Sequence, residues 1–509
     1  MRKLATLLIA AGLVFGAGTT AANAIDFKAK GEWVMSFDYG QHGNLSGGHG
    51  QTGYTDGKED EFNAKQRVRL QLDAVASESL SGTVFFEIGN TTWGNAESGG
   101  ALGADQTIVE VRRAYIDWMV PNTELKVRMG LQGMALPSFA VNKNQAFNDD
   151  VAGITLSYQF TENVGVTAFW ARPYNDNFEG SRTRDANFLD NIDAFGLTVP
   201  LTFDGFKVTP WGMIAAIGPN AFRGTDNRTF SNFDVAESGK HLRAGLLPAW
   251  GVAGTYGIGA NDLRIDKYAT AWWAGLTADI SYFDPFRIAF DFTAGGVDWE
   301  EARLNRAGWM AALLVEYKMD WGTPGLLGWY ASGDNSNLGD GSERMPYLSV
   351  NNGDNDFSYY AFDGHPYIAR EGVLGNSMAG TWGVGLRVKD MSFIEDLKHT
   401  LRVNLIGGTN AHGIYEQLAK NTGNIGGYTV SSNAMGVNGM YLTDQDTLLE
   451  IGLHNEYKMY ENFTIMLDAN YLALWLADTE YKGMQRMMNG VTNETRDAWN
   501  VNVSFVYSF

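Results

Sequence analysis

From residue 25 onward the chain repeats one pattern, in which apolar and polar residues alternate at a spacing of two. A β-strand sends successive side chains to opposite faces, so such a stretch predicts a strand with one apolar and one polar face. The last segment is the clearest. Trp499, Val501, Val503, Phe505, Tyr507 and Phe509 fall on one face, and Asn500, Asn502, Ser504 and Ser508 on the other, with Val506 the exception. The first segment sets Phe27, Ala29, Gly31, Trp33, Met35, Phe37 and Tyr39 against Asp26, Lys28, Lys30, Glu32, Ser36 and Asp38. The same alternation runs through Arg67–Ala74 and Phe286–Thr293.

The connections also alternate. Short turns at Glu78–Ser81, Pro121–Thr123, Thr161–Asn163, Phe203–Gly205, Phe283–Pro285, Asp320–Pro324, Ile394–Leu397 and Tyr460–Asn462 are separated by long Gly/Asn/Asp-rich stretches. Eight short turns and nine long loops predict 18 strands, with 16 or 20 if one hairpin is misjudged. An even strand count with short turns at one end and long loops at the other is the layout of a transmembrane antiparallel β-barrel. Trp and Tyr gather near the predicted strand ends (Trp33, Tyr39, Trp118, Trp170, Trp211, Trp272, Trp273, Trp299, Trp321, Trp329, Tyr330, Trp475, Trp499), as in the interfacial girdles of such barrels. A soluble sandwich would need a polar outer face, and no repeat of propeller length is visible. Hydrocarbon offers backbone groups no partner, so the sheet must have no edge and the first and last strands must pair. A barrel this wide leaves room for water inside.

The N-terminus reads as an address. Met1-Arg2-Lys3, the apolar Leu4–Gly18 and the small-x-small Ala22-Asn23-Ala24 predict a secretory signal peptide over residues 1–24, cleaved before Ile25, and a barrel domain over 25–509. Past it no run of 18 apolar residues occurs, which excludes a bundle of spanning helices. The net charge of −20 argues against nucleic acid as a partner. The absence of Cys excludes a disulfide scaffold, a thiolate metal site and a thiol nucleophile.

Several segments carry a family resemblance. Ile25–Trp33, Arg112–Asp117, Leu125–Gln132, Val151–Ile154 and the terminal Tyr507-Ser508-Phe509 resemble bacterial general porins, most closely the homotrimeric outer-membrane porins of sulfate-reducing bacteria. The resemblance implies a water-filled outer-membrane channel for passive diffusion of small hydrophilic solutes and ions. It also implies a homotrimer in outer-membrane lipid. Phe505, Tyr507 and Phe509 would be the signal read by the insertion machinery. The third loop, Gly133–Asp150, would fold inward, with Asp149 and Asp150 as the acidic side of a constriction. The basic wall facing it would be Lys65, Arg67, Arg69, Arg113, Lys126 and Arg128, with Arg112 competing with Arg113 for the inward position.

Arg287, Arg387, Lys389 and Arg402, balanced by Asp117, Asp291, Glu316, Glu450, Glu456 and Asp468, are further expected lumen charges. The sign of ion selectivity stays open, since the overall charge favours cations and the basic wall anions. Asp334–Asp340 and Asn351–Asp356 space oxygen-bearing residues in a calcium-like way, but neither completes a twelve-residue loop, so they read as solvated surface and no metal or cofactor is expected. An enzyme is disfavoured, because most histidines fall in loops or turns and no G-x-S-x-G elbow accompanies His454, which falls in a strand. A substrate-selective channel or a non-conducting adhesive barrel are the alternatives. Gly380, Gly383 and Gly385 suggest a flat outer wall for a neighbouring subunit.

Overall fold

The computed structural model describes residues 25–41, 60–96, 99–103, 109–175, 191–218, 221, 242, 244–248, 267–337, 339–349, 356–370, 372–375, 377–414, 441–475 and 497–509. The expected signal peptide and residues 351–355 lie outside them. The strands are β1 (Asp26–Gln41), β2 (Asp60–Ser77), β3 (Leu80–Thr92), β4 (Val109–Met119), β5 (Leu125–Ala135), β6 (Asn148–Gln159), β7 (Gly165–Asn175), β8 (Asn191–Thr198), β9 (Leu201–Phe203) and β10 (Phe206–Ile217). They continue as β11 (Ala269–Ile280), β12 (Phe286–Asp298), β13 (Arg306–Tyr317), β14 (Thr323–Ala331), β15 (Thr381–Ile394), β16 (Leu397–Gly408), β17 (Thr447–Tyr460), β18 (Phe463–Trp475) and β19 (Ala498–Ser508). β8 and β9 both pair with β10 and form one stave interrupted at Val199-Pro200, where proline has no N–H to give. The barrel therefore has 18 staves, all antiparallel.

Closure is made by β1 against β19, in register from Glu32↔Ser508 to Gln41↔Trp499. Phe509 completes the seam by exchanging backbone hydrogen bonds with Gly31. A Cβ on Gly31 would stand 2.7 Å from the Phe509 ring, so the glycine makes room for the C-terminal aromatic. Phe505, Tyr507 and Phe509 lie on the outer face beside this seam. Phe505 meets Phe37 and Phe463, and Tyr507 stacks on Phe509 at 5.8 Å.

The alternation sorts as its period demands. Phe27, Trp33, Leu276, Ile214 and Leu453 are exposed on the outer face, whereas Ser36, Asp38, Asn500, Asn502 and Ser504 are buried on the inner one. Exposed aromatics form two belts. Phe160, Phe203, Tyr282, Phe283, Trp321, Phe393 and Tyr460 ring the short-turn end, and Tyr39, Phe62, Tyr268, Trp272, Trp309, Tyr330 and Trp475 the long-loop end.

Two expectations fail. Trp211, Trp273, Trp299 and Trp329 are not girdle residues but are buried in the bore. Gly383 and Gly385 do not form an outer wall; they face inward, where a Cβ would strike the Trp329 ring at 2.2 Å and Asn404 at 2.4 Å. The physical reason is common to both. The third loop and the described parts of the fifth and seventh long loops enter the barrel and give it an apolar interior.

Met134, Leu136, Phe147 and Val151 pack with Phe169, Trp211, Trp273, Leu246 and Leu348, while Val141, Leu327, Trp329, Phe357, Tyr360, Phe362 and Ile406 form a second cluster. The indole N–H groups find loop carbonyls, Trp273 that of Pro346 (2.9 Å) and Trp299 that of Leu246 (3.2 Å). Arg306, fully buried at the start of β13, donates to the carbonyls of Ala244, Leu247, Arg344 and Met345, and so joins the fifth and seventh loops.

A charge on the lipid face, near the midplane, should be far costlier than one at a girdle. Leu453→Arg is expected to lose about 2–4 kcal/mol in urea-monitored folding into vesicles, and Phe393→Arg at the short-turn rim about 1 kcal/mol or less.

Candidate solute site in the bore

β2 carries Lys65, Arg67 and Arg69 at a spacing of two, so all three point inward. They form one side of a cavity of about 1040 Å³ whose opposite side is the seventh-loop segment Asp363–Ala369. Lys30 and Glu32 of β1, Glu87 of β3, Glu110, Arg112 and Arg113 of β4, and Lys143 of the third loop add further charges to its lining. Arg69 donates to Glu87 at 2.7 Å and reaches Glu32 at 3.5 Å. Arg67 is buried, with Nη2 3.5 Å from Glu32, and its Nε and Nη2 make no hydrogen bond among the described residues.

Arg112 and Arg113 both face the bore. On β4 the apolar positions Val109 and Val111 are exposed, then the phase changes to Ala114, Ile116 and Trp118. The β3–β4 register shifts between Phe85↔Arg113 and Phe86↔Val111, so Arg112 is an extra residue of a β-bulge. A bulge breaks strict alternation and turns two neighbouring guanidinium groups the same way.

The acidic pair is not on a loop tip. Asp149 and Asp150 belong to β6, opposite Met134 and Gly133 of β5. β4 pairs with β5 only as far as Leu131, and β7 with β6 only from Ala152, so the end of the β5–β6 hairpin stands free of both neighbours. Its Asp150 receives Arg112 (2.7 Å) and Arg113 (2.6 Å), and Arg112 also donates to Glu87 (2.9 Å). Asp150 thus joins the basic wall as its counter-ion instead of opposing it, while Asp149 accepts from the Asp150 amide. Lys126 and Arg128 are set apart from the cavity. Both pair with Asp117 (3.2 and 2.6 Å) near the β4–β5 turn, with Arg128 over the Tyr115 ring.

The remaining lumen charges are anchors for the infolded loops. Asp291 on β12 accepts from the Ser138 hydroxyl and from the amides of Phe139, Ala140 and Val141 in the third loop. Glu316 collects Arg287, Arg387 and Lys389 at 2.7–2.8 Å. The seventh loop is tied along the wall strand by strand. Arg387 of β15 bonds Asp356, and Asn404 of β16 reaches the Phe357 carbonyl. Glu450 of β17 takes the amides of Tyr359, Tyr360 and Ala361, Asp468 of β18 takes His365, and Asp38 of β1 takes Arg370. Burial pushes the Tyr359 phenol above its ordinary range. His365 is raised too, although burial alone would lower it, because the Asp468 carboxylate favours its charged form.

Sequence reasoning missed Glu32, Glu87, Lys30, Lys143 and the whole 363–369 segment. Glu32 was readable, since it stands opposite Arg69 in the β1–β2 register. Arg112 was signalled by the phase change after Val111. The loop segment had no such signal.

No protein-family model matches the chain, and no curated protein matches it in sequence. Solved structures with the same architecture do. A BenF-like porin from Pseudomonas fluorescens Pf-5 covers 95% of this chain and 99% of its own at 8% identity, with a TM-score of 0.50. The outer membrane protein OprD from Pseudomonas aeruginosa covers 97% and 98% at 10% identity (TM-score 0.47), and OccK2 from the same organism, solved with glucuronate, 95% and 98% at 10% identity (TM-score 0.48). The likeness to the BenF-like structure establishes a porin-type barrel fold across nearly the whole chain.

Neutralising the counter-ion should expose the wall. Asp150→Asn is expected to shift the reversal potential in a salt gradient toward anions and to lower stability by about 1–3 kcal/mol in the same folding assay, from the lost charge-assisted hydrogen bonds.

Proposed function

We propose that the chain is an outer-membrane channel through which small hydrophilic solutes and ions diffuse passively. The observation that carries this reading is the pairing of a closed, apolar-skinned barrel with a large, charge-lined cavity inside it. Apolar side chains on the outside of a closed sheet are stable in lipid, and ionised groups inside need water or a solute.

The lining favours a second, narrower reading, a channel selective for anionic solutes. Among the described residues, Lys30, Lys65, Arg67, Arg69, Arg112, Arg113 and Lys143 outnumber the acids Glu32, Glu87, Glu110 and Asp363 of the lining and the counter-ion Asp150, so the cavity is net positive although the whole chain is at −20. Local charge within a Debye length governs an ion in a pore, and distant surface acids are screened. Arg67 Nε and Nη2 make no hydrogen bond among the described residues, so this guanidinium, although Nη2 lies 3.5 Å from Glu32, keeps donor capacity that the wall does not use. Conversion of the infolded loops into walls narrows the bore and supports selection.

The N-terminal residues 1–24 would direct export and be removed, Phe505, Tyr507 and Phe509 would be presented to the insertion machinery, and the mature barrel would assemble as a homotrimer, the state implied by its resemblance to the porins of sulfate-reducing bacteria. A heat-sensitive band at three times the monomer mass on mild-detergent gels is the expected outcome; a single heat-insensitive monomer band overturns the trimer.

In planar bilayers the purified protein should open ohmic steps, with a reversal potential on the anion side. Arg67→Glu with Arg69→Glu should move it to the cation side. An unchanged potential removes this ladder from the conduction path, and absence of any current overturns the channel.

A further inference from the structure

Two histidines far apart in the sequence share one buried carboxylate. Asp468 of β18 receives His365 Nε2 on Oδ2 at 2.9 Å and His454 Nδ1 of β17 on Oδ1 at 2.5 Å. All three side chains are more than nine-tenths buried. The Tyr359 ring stands edge-on to both imidazoles, at 5.3 and 5.6 Å, and the Arg402 guanidinium of β16 covers its face at 3.7 Å.

His365 belongs to the segment that forms the loop side of the solute cavity, and its other ring nitrogen has two competing partners. Nδ1 lies 3.2 Å from the Tyr367 carbonyl oxygen and 3.2 Å from the Tyr367 amide nitrogen. A protonated ring donates from Nδ1 to the carbonyl. A neutral ring that keeps its Nε2 proton on Asp468 instead accepts the amide at Nδ1. Loss of one proton therefore exchanges the hydrogen bond made to the Tyr367 backbone, and Tyr367 lines the cavity.

We infer that His365, Asp468 and His454 form a pH-sensitive latch, which holds the 363–369 side of the solute cavity against β17 and β18 and loosens as the pH rises. The charged groups around it set the sign. Asp468 faces His365 directly, His454 lies across that carboxylate, and Arg402 lies behind Tyr359. On the Tyr367 side stand Glu32, Arg67 and Glu456, and Asp363 begins the segment.

Asp468 outweighs burial and Arg402, so the charged form of His365 is favoured beyond the ordinary 6.5. A raised value means that the stabilising ion pair is complete on the acid side and is lost as the pH climbs through it. Arg370 donates to Asp38 of β1 at 2.7 Å, a tie that involves neither histidine, so the segment keeps one fixed end and swings about it.

The current part of the test rests on the channel reading; the label part does not. The chain has no Cys, so Ala369→Cys gives a single site for a spin label on the cavity side of the segment. The full-length protein is followed from pH 5 to 9 by bilayer current and by label mobility in vesicles. Both should change in one step above pH 6.5, with mobility higher on the alkaline side.

His365→Gln keeps a hydrogen-bonding side chain without a titrating proton and should abolish the step, holding both readouts at their alkaline values throughout. A step that survives His365→Gln, or that vanishes only in His454→Gln, overturns the latch. So does constant label mobility in the unsubstituted background, a measurement that needs no variant at the histidines. If current is absent while the label still steps, the latch stands and the channel reading falls.

Discussion

A backbone amide with no acceptor in hydrocarbon costs several kcal/mol, and this single constraint dictates most of the molecule. It forbids an edge, so β1 must meet β19, and it makes the terminal Phe509 part of the seam through Gly31. It also permits only one place for irregular chain at membrane depth, the inside of the ring. The third, fifth and seventh loops occupy that place, where their own amides still need partners.

The wall supplies them as carboxylates. Asp291 holds three consecutive amides and a hydroxyl of the third loop, and Glu450 holds three consecutive amides of the seventh. A carboxylate oxygen accepts several N–H groups at once, so one side chain fixes a tight turn of the loop. The acids that look like free lumen charges in the sequence are thus largely committed to holding chain in place. The bases around the cavity outnumber its acids even with Asp150 counted, and the cavity is left net positive. That excess of positive charge is the remainder of an assembly problem.

The barrel was legible because its signal is local and repeated. A period of two, read from Ile25 to Phe509, fixed faces, turns and the count of staves without any long-range information. The same logic put Lys65, Arg67 and Arg69 on one face, and all three line the cavity, since they lie on one strand at a spacing of two. It failed where regularity breaks. The bulge at Arg112 brings both arginines inward, and the free end of the β5–β6 hairpin carries Asp150 to them. It failed also for Trp211, Trp273, Trp299 and Trp329. An aromatic near a strand end reads alike whether it meets lipid or an infolded loop, and only the parity of its strand tells the two apart. The seventh loop has no period, and its ties to five different staves are contacts over as many as 332 residues that no spacing encodes.

The seventh loop's strand-by-strand attachment separates two tasks that a bare barrel would combine. Sheet residues secure the cylinder, while the loop side of the cavity is a stretch of non-repeating chain pinned at intervals. Insertions or exchanges between the pins can reshape the cavity without disturbing a single ladder pairing, so the shape of the bore can change while the tube stays the same.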